Sequence, residues 1–225
     1  MGEGSTDPMN LGLMAIASTL KEKGYQVILI PNIDFPGSKR KLKKEMKNAL
    51  MVGVSCMTGD PILNGLKFSK TVRQINPRIP ICWGGYHATI DYLNTIKNEN
   101  VDFVIRGQGE KTIVELAEAL KIRKFDNIDG LVYKKNGKIM INNPRKIESL
   151  DSFPFLDYEI FMDCYKVKKV GLLIYCSSRG CPFECTFCSV SNFYEKRYLS
   201  YSLDRFLSDI AKIVNEYRLD KNIVM

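Results

Sequence analysis

Short apolar runs alternate with amphipathic stretches through the first half of the chain, and this alternation limits the fold more than any other feature. Residues 25–30, 50–55, 79–83 and 101–105 read as strands. The run at 50–55 is apolar nearly throughout, as a strand covered on both faces should be. Between the runs lie helical patterns. The first is opened by Asp7-Pro8 as cap and first-turn proline, continues through Leu13, Ala17 and Leu20, and stops at Gly24. Others cover residues 38–49, 60–75 (again opened by Asp60-Pro61 as cap and proline) and about 89–98. A last one carries Ile113, Leu116, Ala117 and Leu120. Such alternation predicts an α/β fold, a Rossmann-like (flavodoxin-like) parallel sheet with helices on both faces. The chain opens on a helix where such sheets normally open on a strand, so that strand is either missing from this sequence or not used.

Composition narrows the class. The chain has 225 residues, an apolar fraction of 45% and a charged fraction of 26%, enough for a sizeable core. The formal charge is +8, but much of it sits in residues 39–47, where Leu42 and Met46 are four apart. That run reads as the solvated side of an amphipathic helix rather than a nucleic-acid surface. There is no apolar run long enough to span a membrane and no signal-like N-terminus. Seven cysteines without an export signal point to reduced thiols in a cytoplasmic protein. The single histidine, His87, excludes a multi-histidine metal site.

In a parallel sheet, ligands bind beyond the carboxyl ends of the strands. The loops there are Ser55-Cys56-Met57-Thr58, Gly84-Gly85-Tyr86-His87 and Gly107-Gln108-Gly109-Glu110. Two of them carry glycine where backbone can approach a ligand closely. Their order resembles the cobalamin-binding domain family, whose pattern is Asp-x-His-x-x-Gly, then Ser-x-Leu, then Gly-Gly. Here Asp7-Pro8-Met9-Asn10-Leu11-Gly12, Ser55-Cys56-Met57 and Gly84-Gly85 fill those places. The resemblance implies a cobalamin slot drawn from Met9, Gly12, Ser55, Thr58, Gly84, Gly85, His87, Gly107, Gly109 and Glu110. Met9 stands where the family has its cobalt-ligating histidine, which implies a cobalt whose lower face is open or water-bound. His87 is not in that ligand position.

Downstream, residues 128–141 read as a hairpin around Asn136-Gly137, a type I′ signal. The proline-punctuated, aromatic stretch at 149–158 reads as a joint that packs between two units. Residues 170–175 form a buried-type strand feeding Ser178-Arg179-Gly180-Cys181-Pro182-Phe183-Glu184-Cys185-Thr186-Phe187-Cys188. Thiolates this close suit a soft metal or an iron–sulfur cluster, and three of them leave the fourth iron of a four-iron cluster open. Zinc, with Cys164 or Cys176 as fourth ligand, is the structural alternative. Cys56, Cys82 and Cys164 otherwise read as small buried residues. Ser202 then caps a helix carrying Leu203, Phe206, Ile210, Ile213 and Tyr217, and residues 221–225 begin another strand.

The spacing Cys181-x-x-x-Cys185-x-x-Cys188, with Phe187 before the last cysteine, resembles the motif of radical S-adenosylmethionine enzymes. That implies a 4Fe-4S cluster on Cys181, Cys185 and Cys188, S-adenosylmethionine on the open iron with Phe187 near its adenine, and a 5′-deoxyadenosyl radical as the reactive species. Together the halves resemble cobalamin-dependent radical S-adenosylmethionine enzymes, which include methyltransferases and relatives of the anaerobic magnesium-protoporphyrin ester cyclase. The resemblance implies a small-molecule or peptide substrate and an electron donor such as ferredoxin or flavodoxin. The expected organisation is a cobalamin-type domain at 1–145, a linker at 146–169 and the first part of a radical barrel at 170–225. A six-unit barrel needs roughly 190 residues, so a truncated chain is expected. Exposed apolar faces at Leu172, Ile174, Phe206 and Ile213 would then make it aggregation-prone. A corrinoid carrier with a vestigial cysteine half, and a zinc-binding structural protein, are the other readings.

Overall fold

The computed structural model describes residues 10–30, 32–165 and 173–217. The predicted strands at 221–225 and, in part, 170–175 fall outside these residues, as do Asp7, Met9 and Leu172, and the described residues 173–175 form no strand.

The chain opens with helices α1 (Leu11–Glu22) and α2 (Ser38–Glu45). Then come β1 (Val52–Ser55), α3 (Asp60–Ile75), β2 (Ile81–Gly84), α4 (Tyr86–Ile90), α5 (Tyr92–Lys97), β3 (Phe103–Ile105) and α6 (Glu110–Ile122). A hairpin of β4 (Leu131–Lys135) and β5 (Lys138–Ile141) completes a five-stranded sheet in the order β1-β2-β3-β4-β5. The first three strands are parallel and the last two antiparallel. At the hairpin turn, Asn136 (φ 52°) and Gly137 (φ 75°) have the paired left-handed geometry of the expected type I′ turn. Beyond the sheet come α7 (Tyr158–Tyr165), β6 (Ser178–Gly180), α8 (Val190–Phe193), β7 (Tyr198–Ser200) and α9 (Leu203–Tyr217), with β6 and β7 pairing antiparallel.

Several expectations are corrected. Helix α1 starts at Leu11, capped by Asn10, whose side-chain oxygen accepts from the Leu13 N–H at 2.9 Å. Asp60 is the first residue of α3, which Gly59 precedes as cap. The basic helix ends at Glu45, short of 49, although Leu42 and Met46 are buried as expected. Residues 25–30 form no ladder among the described residues. Their side chains nonetheless face the core: Tyr25 and Val27 pack on one face of the sheet and Ile30 on the other. A strand needs backbone partners as well as a side-chain pattern, and only the second is legible in a run of residues. The helix expected over 89–98 is two helices broken at Asp91, whose backbone and carboxylate oxygens accept from Thr95 and Asn94.

Three apolar clusters hold the fold. One face of the sheet buries Trp83, Ile81, Val104 and Ile96 under α3 and α5. Trp83 donates through Nε1 to Ser69 Oγ at 3.0 Å, so its polar edge is satisfied. The other face packs Leu116, Leu131 and Tyr133 with α6. The third cluster joins Met14 and Ala15 of α1 to Leu156, Tyr158, Phe161 and Ile213. Leu156 and Tyr158 of the stretch at 149–158 thus pack between α1 and α9, and the stretch leads into a helix the sequence reading missed. Ile213, expected to be exposed, is buried in this cluster, and Phe206 stacks near Tyr175 at 5.8 Å between ring centroids.

Candidate functional site

A cavity of about 320 Å³ opens at the carboxyl edge of β1, β2 and β3. It is the crevice a parallel sheet forms there. Ser55, Gly84 and Gly85, Gly107 and Gly109, Glu110, and Gly12 from the start of α1 all line it. Seven residues read from the sequence are therefore brought together. Thr58 is exposed and does not line the cavity. His87 does not line it either: its N–H donates to the Cys56 carbonyl at 3.1 Å, tying two of the edge loops together. The Gly107 N–H donates to Thr89 Oγ1 at 3.0 Å and ties in the third.

The glycines keep the cavity open. Gly85 has φ 94°, and a β-carbon there would lie 2.9 Å from the Cys56 carbonyl oxygen and 3.3 Å from Ser55 Oγ. A β-carbon at Gly109 would come within 3.0 Å of Ile16 Cδ1. Any side chain at these points would need its neighbours to shift. A narrow, largely apolar slot with backbone on its walls fits a nucleotide-tailed corrinoid. Burial pushes the Cys56 thiol up to about 11, and burial likewise raises Cys82 far above its ordinary range. Both line the slot as neutral thiols.

The sequence reading missed the residues that face the slot from the second half of the chain, Arg179, Phe193 and Tyr194. Arg179, the middle residue of β6, forms an ion pair with Glu110 in the first turn of α6; their side chains are 18% and 5% exposed. Burial alone would lower the Arg179 pKa, but the facing Glu110 carboxylate outweighs it, and the guanidinium is held charged. Removing one partner from a pair this buried costs about 3–5 kcal/mol. Glu110 therefore meets a guanidinium where a ligand contact was expected. Tyr86 stacks on Phe193 at 4.4 Å between ring centroids, and Tyr194 lines the slot beside them. Burial raises both tyrosine pKa values, so the hydroxyls stay protonated. No local motif marks these residues, because their roles depend on a partner far away in sequence.

The cysteine loop leaves β6 directly. Gly180 has φ 89°, and a β-carbon there would run into the Arg197 carbonyl oxygen, so only glycine seats β6 against β7. Cys185 is exposed and Cys181 and Cys188 are half-buried. The Cys188 N–H donates to the Cys185 carbonyl at 3.1 Å and folds the loop into a turn. Among the described residues, no three cysteine, histidine or acidic side chains converge as a metal-binding group. Three soft thiol donors on an accessible loop fit an iron–sulfur cluster by chemistry. Phe187 is 91% exposed, a free aromatic face beside them. No described helix is long and apolar enough to cross a membrane.

The B12 binding domain model matches residues 2–117. Among curated relatives, an uncharacterized methyltransferase of Pyrococcus horikoshii is 34% identical, over 95% of this chain and 47% of its own length. The anaerobic magnesium-protoporphyrin IX monomethyl ester cyclase of Rubrivivax gelatinosus is 26% identical, over 89% of this chain and 37% of its own. The chain thus spans less than half the length of these relatives. Among solved structures, the radical S-adenosylmethionine methyltransferase TsrM of Kitasatospora setae aligns with a TM-score of 0.68 at 16% identity, over 92% of this chain and 43% of that one. The cobalamin-dependent S-adenosylmethionine radical enzyme OxsB, solved with aqua-cobalamin and S-adenosylmethionine bound, aligns with a TM-score of 0.71 at 18% identity, over 99% of this chain and 32% of that one. At these identities the structural likeness is one of fold, shared across the sheet unit and the cysteine-bearing region alike. With its glycine-walled slot at the sheet edge and a domain match over half its residues, the chain belongs to the B12-binding domain family.

Proposed function

We propose that the protein is a cobalamin-dependent radical S-adenosylmethionine enzyme that transfers a methyl group to, or oxidatively modifies, an organic substrate. One observation carries this reading: the strand that enters the cysteine motif also lines the sheet-edge slot, through Arg179. The Glu110–Arg179 ion pair brings together stretches that the sequence separates by about seventy residues. On this reading residues 1–145 hold cobalamin, 146–169 are the joint and 170–225 begin the radical barrel. Gly12, Ser55, Gly84, Gly85, Gly107 and Gly109 wall the corrinoid slot. Cys181, Cys185 and Cys188 hold the cluster, and Phe187 offers a stacking face to adenine. When bound, the cluster supplies the electron that cleaves S-adenosylmethionine to a 5′-deoxyadenosyl radical, and cobalamin supplies a methyl carrier. Cys56 and Cys82, neutral and apolar, keep the slot dry. Tyr86, Phe193 and Tyr194 shield it from water on the side of the cysteine loop.

Anaerobic reconstitution with iron and sulfide tests the reading. About four irons per chain are expected, with loss on Cys185→Ala, and 5′-deoxyadenosine on addition of S-adenosylmethionine and a strong reductant. Tightly held zinc with no iron uptake would overturn it. The corrinoid-carrier reading has one observation in its favour: the slot is formed while the three thiols lie apart. Cobalamin binding without iron uptake would favour that reading.

A further inference from the structure

The Glu110–Arg179 pair joins two elements that, on the reading just given, belong to different cofactors. Glu110 opens α6 at the edge of the sheet, and Arg179 lies two residues before Cys181. Both line the slot. A molecule filling the slot therefore rests against the guanidinium that fixes where the chain enters the cysteine loop. Gly180 makes that entry rigid, because β6 is seated tightly on the Arg197 carbonyl and the Tyr194 ring. The Tyr86–Phe193 stack connects the same two regions. The ion pair and the ring stack both cross one boundary, so ordering either side supports the other.

We propose that Glu110 and Arg179 are positioning residues that couple filling of the sheet-edge slot to ordering of the 181–188 loop. Each cofactor then binds more tightly with the other in place. This inference rests on the reading above, and it goes beyond it by naming the residues that link the two sites. Coupling between sites is reciprocal and typically amounts to several-fold or more in affinity.

The experiment measures aquocobalamin affinity on the full chain before and after anaerobic reconstitution with iron and sulfide. Affinity is expected to rise about tenfold on reconstitution. In Glu110→Gln and in Arg179→Met that ratio falls to about one, and the double variant loses no more than either single one. Arg179→Lys, which keeps the charge but loses the fork, retains part of the ratio. A second measurement needs neither variant nor cluster: aquocobalamin should slow alkylation of Cys181, Cys185 and Cys188 several-fold in the unreconstituted wild-type chain. Equal affinities with and without the cluster, or alkylation unchanged by aquocobalamin, overturn the coupling and leave the site reading standing. A tenfold ratio that survives in Glu110→Gln overturns the assignment to this pair. Failure of the wild-type chain to bind aquocobalamin at all overturns the site reading, and the coupling with it.

Discussion

The sheet-edge slot and the cysteine loop are built on opposite principles. The slot is defined by shape: glycines hold its walls apart, hydrogen bonds tie its three loops together, and buried clusters support it from both faces of the sheet. The loop is defined by chemistry: three thiols at fixed spacing on a short ribbon, with Phe183 and Phe187 in the open and little packed beneath. A shaped slot is sensitive to volume and insensitive to donor identity. A donor loop is the reverse.

The largest test of that contrast is Trp83→Ala. Trp83 fills the core on the α3 face of the sheet whose edge carries the slot, and its loss should cost about 3–5 kcal/mol in urea unfolding and abolish cobalamin binding with it. Next is Gly180→Ala, which places a side chain at φ 89° against the Arg197 carbonyl. It should cost about 1–3 kcal/mol through strain and lower iron uptake, while cobalamin titration of the folded fraction changes less. Gly85→Ala reverses the pattern. Its β-carbon would close on Cys56 and Ser55, so cobalamin affinity should fall about tenfold, roughly 1.4 kcal/mol, with iron content unchanged. Cys185→Ala should stay within about 0.5 kcal/mol of wild-type stability, as an exposed substitution does, yet lose the iron. Equal effects of Gly85→Ala and Cys185→Ala on both cofactors would break the comparison.

The smallest effect concerns the thiols themselves. At pH 8, iodoacetamide should modify Cys185 and leave Cys56 and Cys82 intact, read by peptide mass. Burial pushes Cys56 from its ordinary 9.0 to about 11, so the folded chain holds that proton more tightly than the unfolded chain does. Its contribution to stability is therefore whole below pH 9 and is lost as pH rises from 9 to about 11. Urea midpoints of wild type and Cys56→Ala should converge over that window.

Much of the slot was legible in the sequence because its parts are loop glycines at strand ends, and a strand-loop-helix repeat fixes which edge they occupy. Ser55, Gly84, Gly85, Gly107 and Gly109 needed no long-range information. Residues 25–30 show the limit of that reasoning: the apolar pattern is real and the side chains do face inward, but pairing is a property of two segments. Asp91 shows a second limit, since a side chain that satisfies the turn below it breaks a helix that periodicity alone would continue. Thr58 and His87 sit in the right loops and point elsewhere, because a loop's position does not set the direction of each side chain.

By itself the sequence determined the α/β class, the edge that carries the slot, the spacing of the three thiols in the cysteine loop and the two resemblances. Each of these depends on local spacing, which short-range sterics and coordination chemistry fix. Tertiary structure alone decided that Glu110 is paired with Arg179 rather than left to a ligand, that α1 is shared between the sheet and the second half, and that Tyr86, Phe193 and Tyr194 flank the slot. Those contacts join residues far apart in the chain, and only packing brings them within reach of one another.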